Sequence, residues 1–200
     1  MQLRNLDVIA GVALVALLSA CEPKTDATAT TAAAAAPTAA SAGLKPVASV
    51  LDLMLGMIDP AADSLWESVA TISTPKGVEE RQPRTDKEWA DVRYKALIVI
   101  EGANLLALEG RRVAHPGQKL EEPGGATDYS PEQAQVVIDA DRASFLAFAR
   151  ALQDAGGLAL TAIEKRDAET YLEAGGIIDE ACEQCHRKFW YPDSPTPPGA

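Results

Sequence analysis

Cys182-Glu183-Gln184-Cys185-His186 sets two thiols three residues apart and an imidazole four residues after the first. On a helix, side chains three and four apart share a face, so both sulfurs and the imidazole meet on one side. A C-x-x-C-H run is the attachment signature of a c-type haem. Each thiol forms a thioether with a haem vinyl group, and the imidazole offers a nitrogen to the iron. Cys182 and Cys185 are therefore the expected cofactor-binding residues, His186 the expected metal ligand, and one covalent haem the expected cofactor. The competing reading is a redox disulfide or half of a zinc site. Zinc needs further ligands, and the candidates left are Cys21 and His115. A thioredoxin-like pair belongs to a strand-to-helix context, whereas this run lies deep inside a helical pattern.

A covalently attached haem of this type requires export, and the N-terminus reads that way. Arg4 precedes an apolar run from Val8 to Leu18, the length of a signal-peptide core and short for a membrane span. The run ends Leu18-Ser19-Ala20-Cys21, similar to the bacterial lipobox, in which the signal is cut before a cysteine that is then lipidated. A plain cleaved signal or an uncleaved anchor is the alternative. On the lipoprotein reading, residues 1–20 are the signal, Cys21 carries lipid, and the protein sits on the periplasmic face of a bacterial membrane. The three cysteines are then spent, one on lipid and two on haem. Residues 21–43 continue as an Ala/Thr-rich stretch without the large apolar side chains of a packed core, and read as a disordered tether.

The elements that must position the motif are helical. Residues 44–191 hold one domain's worth of chain, with residues 192–200 as a disordered tail. Val47, Leu51, Met54, Ile58, Leu65, Val69 and Ile72 recur at helical spacing, and Pro60, between Asp59 and Asp63, predicts a kink or short break. A second stripe runs through Trp89, Val92, Ala96, Ile100, Ala103, Ala107 and Gly110, with Pro116-Gly117 beyond it as a stop. Ser130-Pro131 predicts the start of a third, long helix through Phe148 to about Ile163. Gly156-Gly157 inside it costs about 1 kcal/mol per glycine relative to alanine. Asp167 caps a fourth, carrying Leu172, Ile178, Cys182, Cys185 and Phe189 on one side. Four amphipathic helices without alternating strand runs predict an all-α fold, an antiparallel four-helix bundle with haem near the C-terminal helix.

A haem motif at the extreme C-terminus of such a bundle resembles the class II cytochromes c, the cytochrome c′ family and its low-spin relatives. The architecture matches over Leu44 to Tyr191, and the C-E-Q-C-H run is the specific part. Class I cytochromes c resemble it less, because they carry the motif near the start with a ligand methionine downstream; here fourteen residues follow His186 and none is Met. The resemblance implies a sixth iron position supplied from the first helix. Low-spin members place a methionine there and shuttle electrons, while five-coordinate members place an apolar side chain there and bind nitric oxide or carbon monoxide. Met1 leaves with the signal, so Met54 and Met57 remain. Met54 shares the central stripe with Leu51 and Ile58, and Met57 lies about a sixth of a turn away. Met54 is the preferred ligand; Met57, or neither, with both as core fillers, are the alternatives. His115, before Pro116 in a loop, is not expected to bind iron.

A net charge of −11 excludes a broad nucleic-acid role, which calls for a basic surface. The expected partners are redox proteins and, through the lipid, the membrane; the family resemblance leaves a homodimer open. Arg187 and Lys188 follow His186, and Arg81, Arg84 and Lys87 cluster before the second helix. They read either as a basic patch near the haem edge, meeting propionates or an acidic partner, or as solvated cations, the first pair answering a helix dipole. Phe189, Trp190 and Tyr191 seal the end of the bundle or form a docking face. Trp66 and Trp89 cover other seams, and Gly175-Gly176 leaves room for close packing. No nucleophile and base pairing suggests an enzyme, and two histidines leave little to build one from.

Overall fold

Capping chemistry sets most element boundaries. The Ser49 hydroxyl accepts from the Asp52 N–H while the Asp52 carboxylate accepts from the Ser49 N–H, a reciprocal box that starts α1 (Val50–Leu53). Thr85 and Glu88 do the same for α3 (Asp86–Leu106), as do Ser130 and Gln133 for α4 (Pro131–Ala140). In this computed structural model, residues 45–119 and 128–192 are described. The signal segment 1–20, Cys21 and the rest of 21–43, residues 120–127 and all but the first residue of the 192–200 tail lie outside the described residues.

The described chain is mostly helical with one small sheet. α1 runs into a π-helical turn (Met54–Ile58) and then α2 (Asp59–Ser68). The Asp59 N–H reaches back five residues to the Met54 carbonyl, just upstream of Pro60, which has no N–H to give. A widened turn therefore stands where a kink was expected. The apolar stripe also ends earlier than its spacing suggests. Val69 leaves the helix in an extended conformation, and Ile72 lies on β1 (Ala70–Thr74), paired antiparallel with β2 (Gly77–Arg81) so that Ile72 faces Glu79. The turn between them places Gly77 at φ 129°, a conformation that only glycine adopts without strain.

The expected single third helix is two. The Asp141 carboxylate accepts from the Ser144 N–H at 3.1 Å, capping α5 (Arg142–Lys165) and breaking it from α4. Arg166 then turns left-handed at φ 55°, and Asp167 caps α6 (Ala168–Phe189) by accepting from the Thr170 N–H. The second helix stops at Leu106, so Ala107 and Gly110 fall beyond it.

α3 packs along α5, α5 along α6, and α2 against both α3 and α6, while the π turn rests on α3. Leu65, Val99, Ile163 and Ile178 are almost wholly buried between them, each contributing about 1.5–3 kcal/mol. Small residues bring the backbones close: a Cβ at Gly102 would lie 2.5 Å from Ile58 Cγ1, and one at Gly156 2.8 Å from Ile100 Cγ1. Trp66 fills the seam beside Gly175, its indole N–H donating to the Gly175 carbonyl at 2.9 Å. Leu172, expected on the apolar side of α6, is instead exposed.

Candidate functional site

α6 carries the thiols and the imidazole to one end of the helical assembly. Cys182, Cys185 and His186 line a cavity together with Met54 of the π turn. Leu106, where α3 ends, and Phe145 and Phe148 of α5 close its other sides. The side chains nearly meet, leaving about 20 Å³, room for one water-sized sphere. Met57 packs partly buried against the core and does not line this cavity.

The cavity's apolar walls set the protonation of its polar residents. Burial pushes the Cys182 thiol up to about 11 and Cys185 to about 12, so both are neutral thiols at ordinary pH, and they form no disulfide. Burial lowers the His186 imidazole, against the opposing pull of Glu183 and Asp59. It is therefore neutral at pH 7, the form in which an imidazole nitrogen can bind a metal.

The end of α6 folds over His186. The Trp190 ring stands edge-on to the imidazole with centroids 5.2 Å apart, and the Tyr191 ring does so at 5.8 Å. Glu183 holds this cap from one turn back: it accepts from Arg187 Nε at 2.7 Å and from the Tyr191 hydroxyl at 2.6 Å. The Tyr129 N–H donates to the Trp190 carbonyl at 2.7 Å, tying the chain before α4 onto the same cap. Phe189 is 4% exposed, packed edge-on against Phe145 and Phe148. Two side-chain atoms in the cap, Arg187 Nη2 and Trp190 Nε1, are buried with no hydrogen-bond partner among the described residues.

The basic residues grouped in the sequence are separated in space. Lys188 pairs with Asp141 at 2.5 Å. Arg84 and Lys87 lie at or before the start of α3, and Lys87 is nineteen residues from Leu106, roughly 28 Å along a helix. They do not belong to the cavity end. His115 is not at the cavity either; its Nε2 lies 3.1 Å from Asp52 Oδ2, and Gln118 Nε2 donates to the other Asp52 oxygen at 2.6 Å. With the Ser49 contacts, these hold Asp52 down to about 2, the Ser49 N–H contributing most.

Sequence reasoning missed two positioning residues. Arg111, 8% exposed, donates to the Leu105 carbonyl at 2.8 Å and to the Ala48 carbonyl, fastening the segment before α1 to the end of α3. Asp141 holds Lys188, two residues past His186; its place three residues before Ser144 was the available signal. Among the described residues, no three His, Cys, Asp or Glu side chains gather as a site for a metal ion, and no helix is long and apolar enough to cross a membrane. In comparisons with known proteins, no family model, curated protein or solved structure matches the chain.

Proposed function

We propose that this protein is an electron carrier that would hold one c-type haem through Cys182 and Cys185, with His186 and Met54 as the residues that would bind its iron. One observation carries the reading: a single apolar cavity brings together two neutral thiols, a neutral imidazole and a thioether from a different segment of the chain. The donor set fits the group. Two thiols three residues apart suit its vinyl substituents, and a nitrogen and a thioether suit its iron. The four long helical stretches, α1–α2, α3, α5 and α6, support a four-helix bundle arrangement of the class II cytochrome kind. α4 and the hairpin are additions to it.

A bound haem supplies a centre that takes up and gives back one electron. The chain's own residues do the rest. His186 presents its nitrogen already neutral, so binding costs no deprotonation. Met54 offers a soft, uncharged donor, which favours the reduced state relative to a second imidazole. Leu106, Phe145 and Phe148 exclude water, and a dry shell limits how much must rearrange as charge changes. A space of about 20 Å³ is far smaller than a porphyrin, so the cavity walls must part to hold one. Phe148, Met54 and the cysteines are only half-buried, so they stand where such parting costs least. Cys21 as a lipid anchor on the periplasmic face, and redox proteins as partners, complete the proposal.

The test is an optical spectrum and an intact mass of the protein exported from a host competent in haem attachment. A covalent haem adduct and a six-coordinate, low-spin reduced spectrum are expected, with Met54→Ala converting it to a high-spin form that binds carbon monoxide. A colourless product with both thiols titratable rejects the reading. A wild-type spectrum already five-coordinate and open to carbon monoxide replaces electron transfer with gas binding.

A further inference from the structure

The last turn of α6 and the capping residue after it contain two hydrogen-bond donors that the protein buries without satisfying. Arg187 Nη2 and Trp190 Nε1 are the two such side-chain atoms among the described residues, and one and four residues separate them from His186. An unmet buried donor costs about 1–3 kcal/mol, more when it is charged, so a pair of them in one turn calls for an acceptor. The charged neighbours of this turn are already engaged. Glu183 accepts from both Arg187 Nε and the Tyr191 hydroxyl, and Lys188 is drawn away to Asp141.

We propose that Arg187 Nη2 and Trp190 Nε1 are the binding site for a haem propionate carboxylate. This rests on the reading of Cys182, Cys185 and His186 as the haem attachment site, and adds to it where the carboxylate edge lies and what holds it. A guanidinium with one nitrogen fixed by Glu183 presents the other as a preorganised donor, and charge-assisted bonds to carboxylates are the stronger kind. The indole, three residues further along the chain, supplies a second, neutral donor. The arrangement also assigns the sequence's basic pair unequal roles: Arg187 serves the cofactor, whereas Lys188 serves Asp141.

The experiment compares haem-loaded wild type, Arg187→Gln, Arg187→Lys and Trp190→Phe by resonance Raman spectroscopy, reading the propionate bending bands. Both Arg187→Gln and Trp190→Phe should shift those bands, with Arg187→Lys restoring part of the charge-dependent shift. The midpoint potential of Arg187→Gln should fall, because an uncompensated carboxylate favours the more positive oxidised iron. Should the variants fail to accumulate, the reduced wild-type protein still decides: an Overhauser contact is expected between the Trp190 Nε1 proton and the propionate methylenes. Haem attached with unmoved bands, or without that contact, overturns the carboxylate site alone. Wild type without a covalent haem overturns the underlying reading, and this site with it.

Discussion

Gly102 sits where α3 meets the π turn, so replacing it with alanine tests how tightly that contact is built. The added Cβ would lie 2.5 Å from Ile58 Cγ1 and 3.1 Å from Cδ1. Ile58 is 2% exposed, so its side chain can move only by displacing core neighbours. Overpacking of this kind costs about 1–3 kcal/mol, while alanine returns about 0.5–1 kcal/mol of helix propensity. Gly157 provides the control, since it lies within a helix and a Cβ there meets nothing within 4 Å. Gly157→Ala should therefore stabilise, and the difference between the two variants isolates the steric cost at about 1–3 kcal/mol. Denaturant unfolding followed by circular dichroism measures both. Ile58→Ala should cost less in the Gly102→Ala background than alone, because the clash disappears with the side chain. Equal stabilities for Gly102→Ala and Gly157→Ala would refute the close packing. In haem-loaded protein, the same variant should raise the high-spin fraction, because Met54 and Ile58 bound the same turn.

The remaining expectations concern other supports. Tyr171 is fully buried, its hydroxyl 2.8 Å from Ser68 Oγ and 3.0 Å from the Leu65 carbonyl; Tyr171→Phe should cost about 0.5–1.5 kcal/mol, read by thermal unfolding, and no loss would mean the hydroxyl is unpaired in solution. Lys188 and Ser144 hold the Asp141 carboxyl at about 2 rather than 3.8. A depressed folded-state value stabilises above the unfolded value and loses that contribution as pH falls. The stability of wild type should thus drop relative to Asp141→Asn between about pH 5 and pH 2; parallel curves would deny the ion pair. Cys182→Ala should leave haem held by one thioether, lowering the yield of coloured protein, and an unchanged yield would remove Cys182 from the site.

Local chemistry was legible wherever a side chain closes a helix end. Thr85 with Glu88, Ser130 with Pro131, and Asp167 mark their boundaries because each satisfies backbone groups in its own vicinity. The hairpin was not legible. β2 is exposed throughout and β1 half-buries only Ala70 and Ile72, too short an alternation to mark a strand, and Ile72 fell by chance on the spacing of the preceding stripe. The break at Asp141 was hidden because α4 and α5 keep one apolar periodicity across it, and neither glycine nor proline stands there. At the candidate site, the motif fixed Cys182, Cys185 and His186 by short-range spacing alone. Arg111 and the Glu183 cap could not be read, since their partners lie on the backbone or depend on how α6 ends.

The π turn reaches furthest from the sequence to the candidate site. In a regular helix, Met54 and Met57 lie about a sixth of a turn apart, close enough for either to face the same neighbour after a small rotation. A wide turn adds a residue to the circuit, which swings Met57 further from Met54 and leaves Met54 alone at the cavity. Pro60 helps to place that turn, because the ordinary hydrogen-bond register cannot continue through a residue without an N–H. Gly102 lets Ile58 press onto α3 behind it. Which of the two methionines lines the cavity is thus set with the help of a proline and a glycine that do not line it themselves.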